Sequence, residues 1–149
     1  MFNHPISDTY LDIQTARASA ALPAAGAYDL APTEMPCPGF QKVMLSLAYT
    51  RGGAAGAFAF RVETSPASSG AVWHRTVLIN APAVVPGADS QGDVQRNAME
   101  YQATGAAIER FIYGPIDLGG AVERIRIAAA ETGNVGAPGT LAITANFGM

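Results

Sequence analysis

The sequence predicts an all-β fold: a single-domain antiparallel β-sandwich, jelly-roll-like, of seven or eight strands with an N-terminal arm. Three observations predict it. Short segments alternate apolar and polar residues with a period of two, the signature of half-buried strands. Clusters of Gly, Pro and Ser separate those segments. No long stretch shows the 3.6-residue periodicity of an amphipathic helix, so sheets must cover one another.

Residues 1–23 form the arm, and residues 24–149 the sandwich. Ser7-Asp8 is a capping signal for a short helix carrying Tyr10, Leu11 and Ile13, whereas the Thr, Ser and Ala that follow suit an extended chain. Phe2, Ile6, Tyr10, Leu11 and Ile13 carry too much apolar area to remain in water, since each large side chain buried contributes about 1.5–3 kcal/mol. The arm is expected to pack on its own domain or on a neighbouring chain, and these five residues are the candidate interface. Residues 27–31 suggest a short strand ended by Pro32. The three prolines of residues 32–39 exclude a helix or a central strand.

Residues 40–51 place Val43, Leu45, Leu47 and Tyr49 on one face and Lys42, Met44, Ser46 and Ala48 on the other. Gly52-Gly53-Ala54-Ala55-Gly56 turns the chain into residues 57–64, where Phe58, Phe60 and Val62 face inward, so a hairpin is expected. Residues 72–80 suggest a further strand, and residues 82–97 an irregular loop with a helical turn at 93–98. Residues 98–104 re-enter the sheet, and residues 107–113 form a run stopped by Gly114-Pro115. Residues 122–130 and 139–147 alternate again, around a turn bearing Gly133, Gly136, Pro138 and Gly139, which predicts a C-terminal hairpin.

A chain of 149 residues can bury its own core. Cys37 is the single cysteine, so an intrachain disulfide and a multi-thiolate zinc site are excluded, in keeping with synthesis in a reducing cytoplasm. No apolar run is long enough to span a bilayer, and the N-terminus lacks the pattern of a signal peptide. A net charge of −3 gives no broad attraction to nucleic acid or anionic membrane. Charged residues make up only 14% of the chain, against a usual value of about 25%. Two explanations fit: surface reserved for other subunits, or a GC-rich genome, which one lysine beside eight arginines also suggests.

The residues for catalysis are few, and no enzyme activity, cofactor or metal is expected. His4 lies in the arm, and His74 sits in a strand between Trp73 and Arg75 without a partner pattern. Cys37 lies between two prolines, with no base nearby to make it a nucleophile. Asp89 and Asp93 flank a glycine but lack the remaining ligands of a calcium loop. Arg51-Gly52-Gly53 is a turn, and Glu100, Glu109 and Glu123 form no recognisable pair. Trp73 with tyrosines would suit a sugar-stacking platform or, more simply, a core or interface position.

The order of segments resembles a family. It comprises S-D-T-Y-L-D-I-Q-T-A-R-A-S-A at residues 7–20, A-Y-D-L-A at 27–31, and a long apolar strand with a Gly-rich turn over 43–62. It closes with E-R-I-R-I at 123–127 and G-T-L-A-I-T-A at 139–145. This layout is similar to the small jelly-roll capsid cement proteins of tailed bacteriophages, of the kind found on a Bordetella podophage head. The resemblance implies a homotrimer on the outer surface of the virion head, bridging copies of the major capsid protein near three-fold positions. The competing reading from another class is a carbohydrate-binding or receptor-recognition β-sandwich; a head–tail structural protein differs only in location.

Overall fold

A computed structural model describes residues 10–80, 94–96 and 98–149. Among these residues eleven strands form: β1 (Tyr10–Ala21), β2 (Met35–Pro36), β3 (Lys42–Thr50), β4 (Ala57–Ser65), β5 (His74–Arg75), β6 (Leu78–Asn80), β7 (Val94–Arg96), β8 (Met99–Gln102), β9 (Glu109–Asp117), β10 (Arg124–Glu131) and β11 (Thr140–Gly148). Among the described residues the one helical segment is a 3-10 turn, Ala24–Gly26.

The all-β sandwich expected from the sequence is found. A front sheet has the order β1-β11-β3-β9, and a back sheet has β2-β10-β4, with β5 and β8 both on β4. Every pairing is antiparallel. Apart from the excursion between β4 and β8, each step along these strands crosses from one sheet to the other, as in a jelly roll. A small ribbon, β6–β7, stands apart.

The period-two pattern sets the inner faces. Leu45, Leu47, Tyr49, Leu141, Ile143, Ala145 and Phe147 from the front meet Phe58, Phe60, Val62, Ile125, Ile127 and Ala129 from the back, all at most 2% exposed. On one side Tyr101 of β8 and Phe111 of β9 bring their rings to 4.5 Å and close the sandwich. On the other, Arg17 of β1 grips Asp29 through Nε (3.0 Å) and Nη2 (3.2 Å) and donates to the Leu141 carbonyl. Asp29 in turn accepts from the Ala129 amide at 3.0 Å, and its own amide donates to the Ala129 carbonyl. Residues 27–31 are therefore not a strand; a side chain stands in for ladder pairing along the edge of β10.

Several local expectations are corrected. Strands β3 and β4 do not form a hairpin, nor do β10 and β11: the members of each pair lie in opposite sheets. Alternation reports which face is buried and is blind to which strand is the neighbour. Gly114-Pro115 does not stop its strand. Strand β9 runs through it, by a cis peptide bond and a register shift, because an edge strand tolerates a residue without N–H. Residues 72–80 divide into β5 and β6, and Val94–Arg96 is a strand rather than a helical turn. Residues 10–21, placed by the sequence in an arm or short helix, are extended and pair along β11.

The crossings at one end share a single anchor. Glu131, 0% exposed at the end of β10, accepts bonds from five donors. These are the Tyr49 hydroxyl (2.7 Å) and the amides of Ala57 (2.9 Å), Gly133 (3.1 Å), Asn134 (3.2 Å) and Gly139 (2.8 Å). The β3–β4 and β10–β11 turns are thereby held against each other so closely that a Cβ on Gly133 would overlap the Ala55 carbonyl oxygen. Burial alone would raise the Glu131 pKa. The bonds from Gly139, Tyr49, Ala57 and Gly133 outweigh it and hold the carboxyl below its ordinary 4.5. Burial, followed by the bond to Glu131, drives the Tyr49 hydroxyl far above its usual value.

A folded-state pKa below the unfolded one means that the Glu131 contribution is complete above the ordinary carboxylate value and is lost as pH falls through the lower folded value. Glu131→Gln keeps the shape but turns an NH2 toward amide donors. It should cost about 3 kcal/mol near neutral pH in urea unfolding. The difference from the parent chain should shrink as the pH is lowered below the folded-state pKa. Equal stability of the two chains at neutral pH would refute the anchor.

Candidate interaction surface

The two outer faces of the sandwich are built differently, and the difference follows from which side chains alternate with the core. On the back sheet the outward positions include Arg61 and Glu63 on β4 and Arg124 and Arg126 on β10. Arg124 is 7% exposed and donates to the Ala67 carbonyl (2.7 Å), Glu34 (3.0 Å), the Gly70 carbonyl (2.9 Å) and the Ser65 hydroxyl (3.3 Å). Arg126 donates to Glu63 at 3.3 Å. Rings lie over these cations: Trp73 is 4.6 Å from the Arg124 guanidinium and 4.2 Å from that of Arg126, and Tyr28 is 4.5 Å from that of Arg61. Ala128 and Ala130 point outward yet are 0% and 1% exposed, so the chain itself covers this face.

The outer face of the front sheet is bare. Reading the register across its strands gives one row of Ile13, Asn146 and Met44, and a second of Thr15, Thr144, Ser46 and Ile112. The rows on either side bring charge, one with Ala142, Ala48 and Arg110 and the other with Gly148, Lys42 and Asp117. The first two rows contain no ionisable side chain. Ile13 and Ile112, on the two edge strands, are 67% and 71% exposed. Small hydroxyl, amide and methyl groups between them make a low surface on which another backbone layer can approach closely. Other exposed apolar side chains sit on connections: Leu30 between β1 and β2, Ile108 between β8 and β9, and Val135 between β10 and β11.

Of the five interface candidates, Phe2 and Ile6 lie outside the described residues. Tyr10 and Leu11 belong to β1 by their backbone, and Ile13 stands on the bare face. His4, Asp89 and Asp93 also lie outside the described residues. Cys37 is fully buried and within 3.7 Å of the Val122 carbonyl; burial first, then Glu123, raises its pKa to about 11, so it stays a thiol at neutral pH. His74 is exposed on β5. Glu109 accepts from the Thr104 hydroxyl and amide and the Gly105 amide; these bonds lower its pKa and shape the β8–β9 turn. Among the described residues no three His, Cys, Asp or Glu side chains are grouped to hold a metal.

The sequence singled out Met44, Ser46 and Ala48 as the far side of a strand but not as part of a shared surface. The signal available was the run of Thr, Ser, Ala and Asn at outward positions of residues 40–51 and 139–147. Comparison with family models, curated proteins and solved structures finds no match to this chain.

Trp73 is the sole tryptophan, so its emission reports this site directly. Trp73→Ala should lower stability by about 1–2 kcal/mol through loss of the two cation–π contacts, read by thermal unfolding. An unchanged midpoint would mean that the arginines hold without the ring.

Proposed function

We propose that this chain is a cement protein of a tailed-bacteriophage head, bound to the outer surface of the capsid as a homotrimer and bridging copies of the major capsid protein. The observation that carries the reading is the pairing of a jelly-roll sandwich with an uncovered sheet face on which two adjoining rows hold no ionisable group, in a chain whose segment order resembles such proteins. A cement protein must contact both its own copies and the shell, and therefore needs more than one interaction surface. The bare front face and the apolar connections carrying Leu30, Ile108 and Val135 are two such surfaces.

The physics of the role is linkage. A protein that binds the assembled, expanded lattice and not its dispersed subunits stabilises the lattice by RT ln(1 + [L]/Kd) per site, about 2.7 kcal/mol at a hundredfold excess over Kd. Repeated over a head, modest binding resists the outward pressure of packaged DNA. Catalysis plays no part in this mechanism, and neither does a cofactor. Phe2, Ile6, Tyr10 and Leu11 are the side chains proposed to dock on a neighbour.

Two experiments test the reading. Immunogold labelling of virions should decorate heads and leave tails bare; label confined to tails would move the protein elsewhere in the particle. When co-expressed with the major capsid protein, the chain should co-sediment with assembled heads, and removal of residues 1–9, which leaves β1 whole, should reduce its occupancy. Binding of glycans with no binding to heads would favour the receptor-recognition alternative.

A further inference from the structure

We propose that the outer face of the back sheet carries a carboxylate-binding site, built from Arg61, Arg75 and Arg126 around Glu63, that takes an acidic side chain of a protein partner. Neither the resemblance nor the trimer enters into it, so the inference is independent of the capsid reading.

The first observation is an imbalance of charge fixed by register. Arg126 of β10, Glu63 of β4 and Arg75 of β5 lie in one row across the sheet. Arg61 stands two residues along β4 on the same face, opposite Ala128. Glu63 therefore faces three cations. Its Oε1 accepts from Arg126 Nε at 3.3 Å and lies 3.9 Å from Arg61 Nε. The other acids near this face are engaged or apart. Glu34 is held by Arg124 and Asp29 by Arg17, each at 3.0 Å. Glu100, on β8 opposite Ala59, joins no ion pair among the described residues.

The second observation is how the donors are used. A guanidinium carries five N–H groups, all in its own plane. Arg17 donates to Asp29 and to the carbonyls of Ala20, Ala21 and Leu141. Arg124 donates to Glu34, Ser65 and the carbonyls of Ala67 and Gly70. These two arginines hold the fold together. The cluster around Glu63 is different: Arg126 donates to Glu63 alone, and Arg61 Nε is buried without a hydrogen bond. The exposed Arg75 side chain has no partner among the described residues.

The third observation is how the cations are held. Tyr28 lies 4.5 Å over Arg61, and Trp73 lies 4.2 Å over Arg126. A ring on the flat of a guanidinium fixes its plane and occupies no N–H, since those point out along the edge. The cover over Ala128 and Ala130 is incomplete here, for the Arg61 and Arg126 side chains keep 24% and 25% of their surface open. Oriented, partly buried cations with free in-plane donors match a carboxylate, which accepts two parallel N–H bonds.

The surroundings select among anions. Glu63 at the centre repels any anion, and a doubly charged one about twice as strongly as a carboxylate. Beyond the cluster the chain carries a net charge of −3, which opposes an extended polyanion such as nucleic acid or a sulfated glycan. Arg, Trp and Tyr are also the side chains that dominate contacts between proteins. The ligand is accordingly an Asp or Glu side chain on a partner's exposed segment.

The test uses the full chain at low ionic strength, with Trp73 emission as the readout. The probes are a six-residue peptide alternating Glu with Gly and its Gln-for-Glu counterpart. The Glu peptide should saturate with a Kd of about 1 mM, the range of a few exposed ion pairs, and weaken as salt is added. The Gln peptide should give no response. Arg75→Gln should weaken binding roughly three- to tenfold, and Arg75→Glu should abolish it. Arg110→Glu makes the same change of charge on the exposed edge of the other sheet and should leave binding within about twofold. Thermal midpoints confirm that each variant is folded, and Arg75→Gln decides if Arg75→Glu is not.

No saturable response up to about 10 mM, an equal response to the two peptides, or equal losses in Arg75→Glu and Arg110→Glu would overturn the site. Heparin or duplex DNA binding more tightly than the peptide, and weakened by Arg75→Gln, would overturn the carboxylate assignment in favour of a polyanion. Peptide binding by a chain that never binds heads leaves this inference standing and removes the capsid reading. Head binding without a peptide response does the reverse.

Discussion

A jelly roll has an unavoidable difficulty at its ends. Each strand leaves one sheet to enter the other, so the backbone amides of the crossing turn lose the ladder that would have paired them. A buried amide without an acceptor costs about 1–3 kcal/mol, and two crossings packed together multiply the number at risk. Glu131 resolves this with one side chain: its two oxygens take four amides, from Ala57, Gly133, Asn134 and Gly139, and the Tyr49 hydroxyl as well. A neutral side chain has fewer lone pairs and weaker bonds, so charge is required there despite the cost of burying it. The positions of β3 and β11 in the front sheet and of β4 and β10 in the back sheet all depend on that carboxylate, since it sits where their ends converge.

The two sides of the sandwich are closed by different chemistry. Between β8 and β9 the closure is aromatic, with Tyr101, Phe111 and Tyr113 meeting Phe58 and Phe60 in tilted, stacked or edge-on contacts across the gap. Between β1 and β10 it is ionic, through Arg17 and Asp29, with the carbonyls of Ala20, Ala21 and Leu141 completing the guanidinium's partners. The ionic closure suits an edge where the chain must make room for the 3-10 turn and residues 27–31, whose two large side chains are engaged elsewhere, Leu30 in solvent and Tyr28 over Arg61. It also aligns β1 with the front sheet, which fixes the height at which Ile13 emerges beside Asn146.

Much of this was legible in the sequence, and the limits are physical. The inner faces followed from alternation at Val43, Leu45 and Leu47, at Phe58, Phe60 and Val62, and at Ile125 and Ile127, because a pleated strand has only two sides. Pairing partners did not follow, because a Gly-rich turn of five residues serves a hairpin and a sheet-to-sheet crossing equally well. Gly114-Pro115 looked like a stop because the penalty of a missing N–H depends on whether the strand is central or peripheral, which is a property of the assembled sheet. Glu131 had one local clue, an acid placed just before a glycine turn that supplies Gly133 and Asn134, yet the other three of its five donors, Tyr49, Ala57 and Gly139, are brought to it by folding. Trp73 offered a choice between platform and packing, and its two arginine neighbours, which the sequence could not supply, are what the fold brings to the ring.

The scarcity of charge can now be taken further than composition allowed. A genome rich in GC dilutes lysine throughout a protein and has no means of distinguishing one face of a sheet from the other. The distribution distinguishes them only in part, since the flanking rows of the front face carry Lys42, Arg110 and Asp117. Arg61, Glu63, Arg124 and Arg126 are concentrated on the back sheet, paired with one another or lying under rings. The first two rows of the front face hold only Ile, Asn, Met, Thr and Ser. The same strand spacing and the same alternation operate on both sides, so backbone geometry does not account for the contrast either. Over these two rows the front face meets water through hydroxyls and amides, and covering them would desolvate no charge. A surface of that kind gives contacts that form and release readily one at a time and hold firmly only when many are made together.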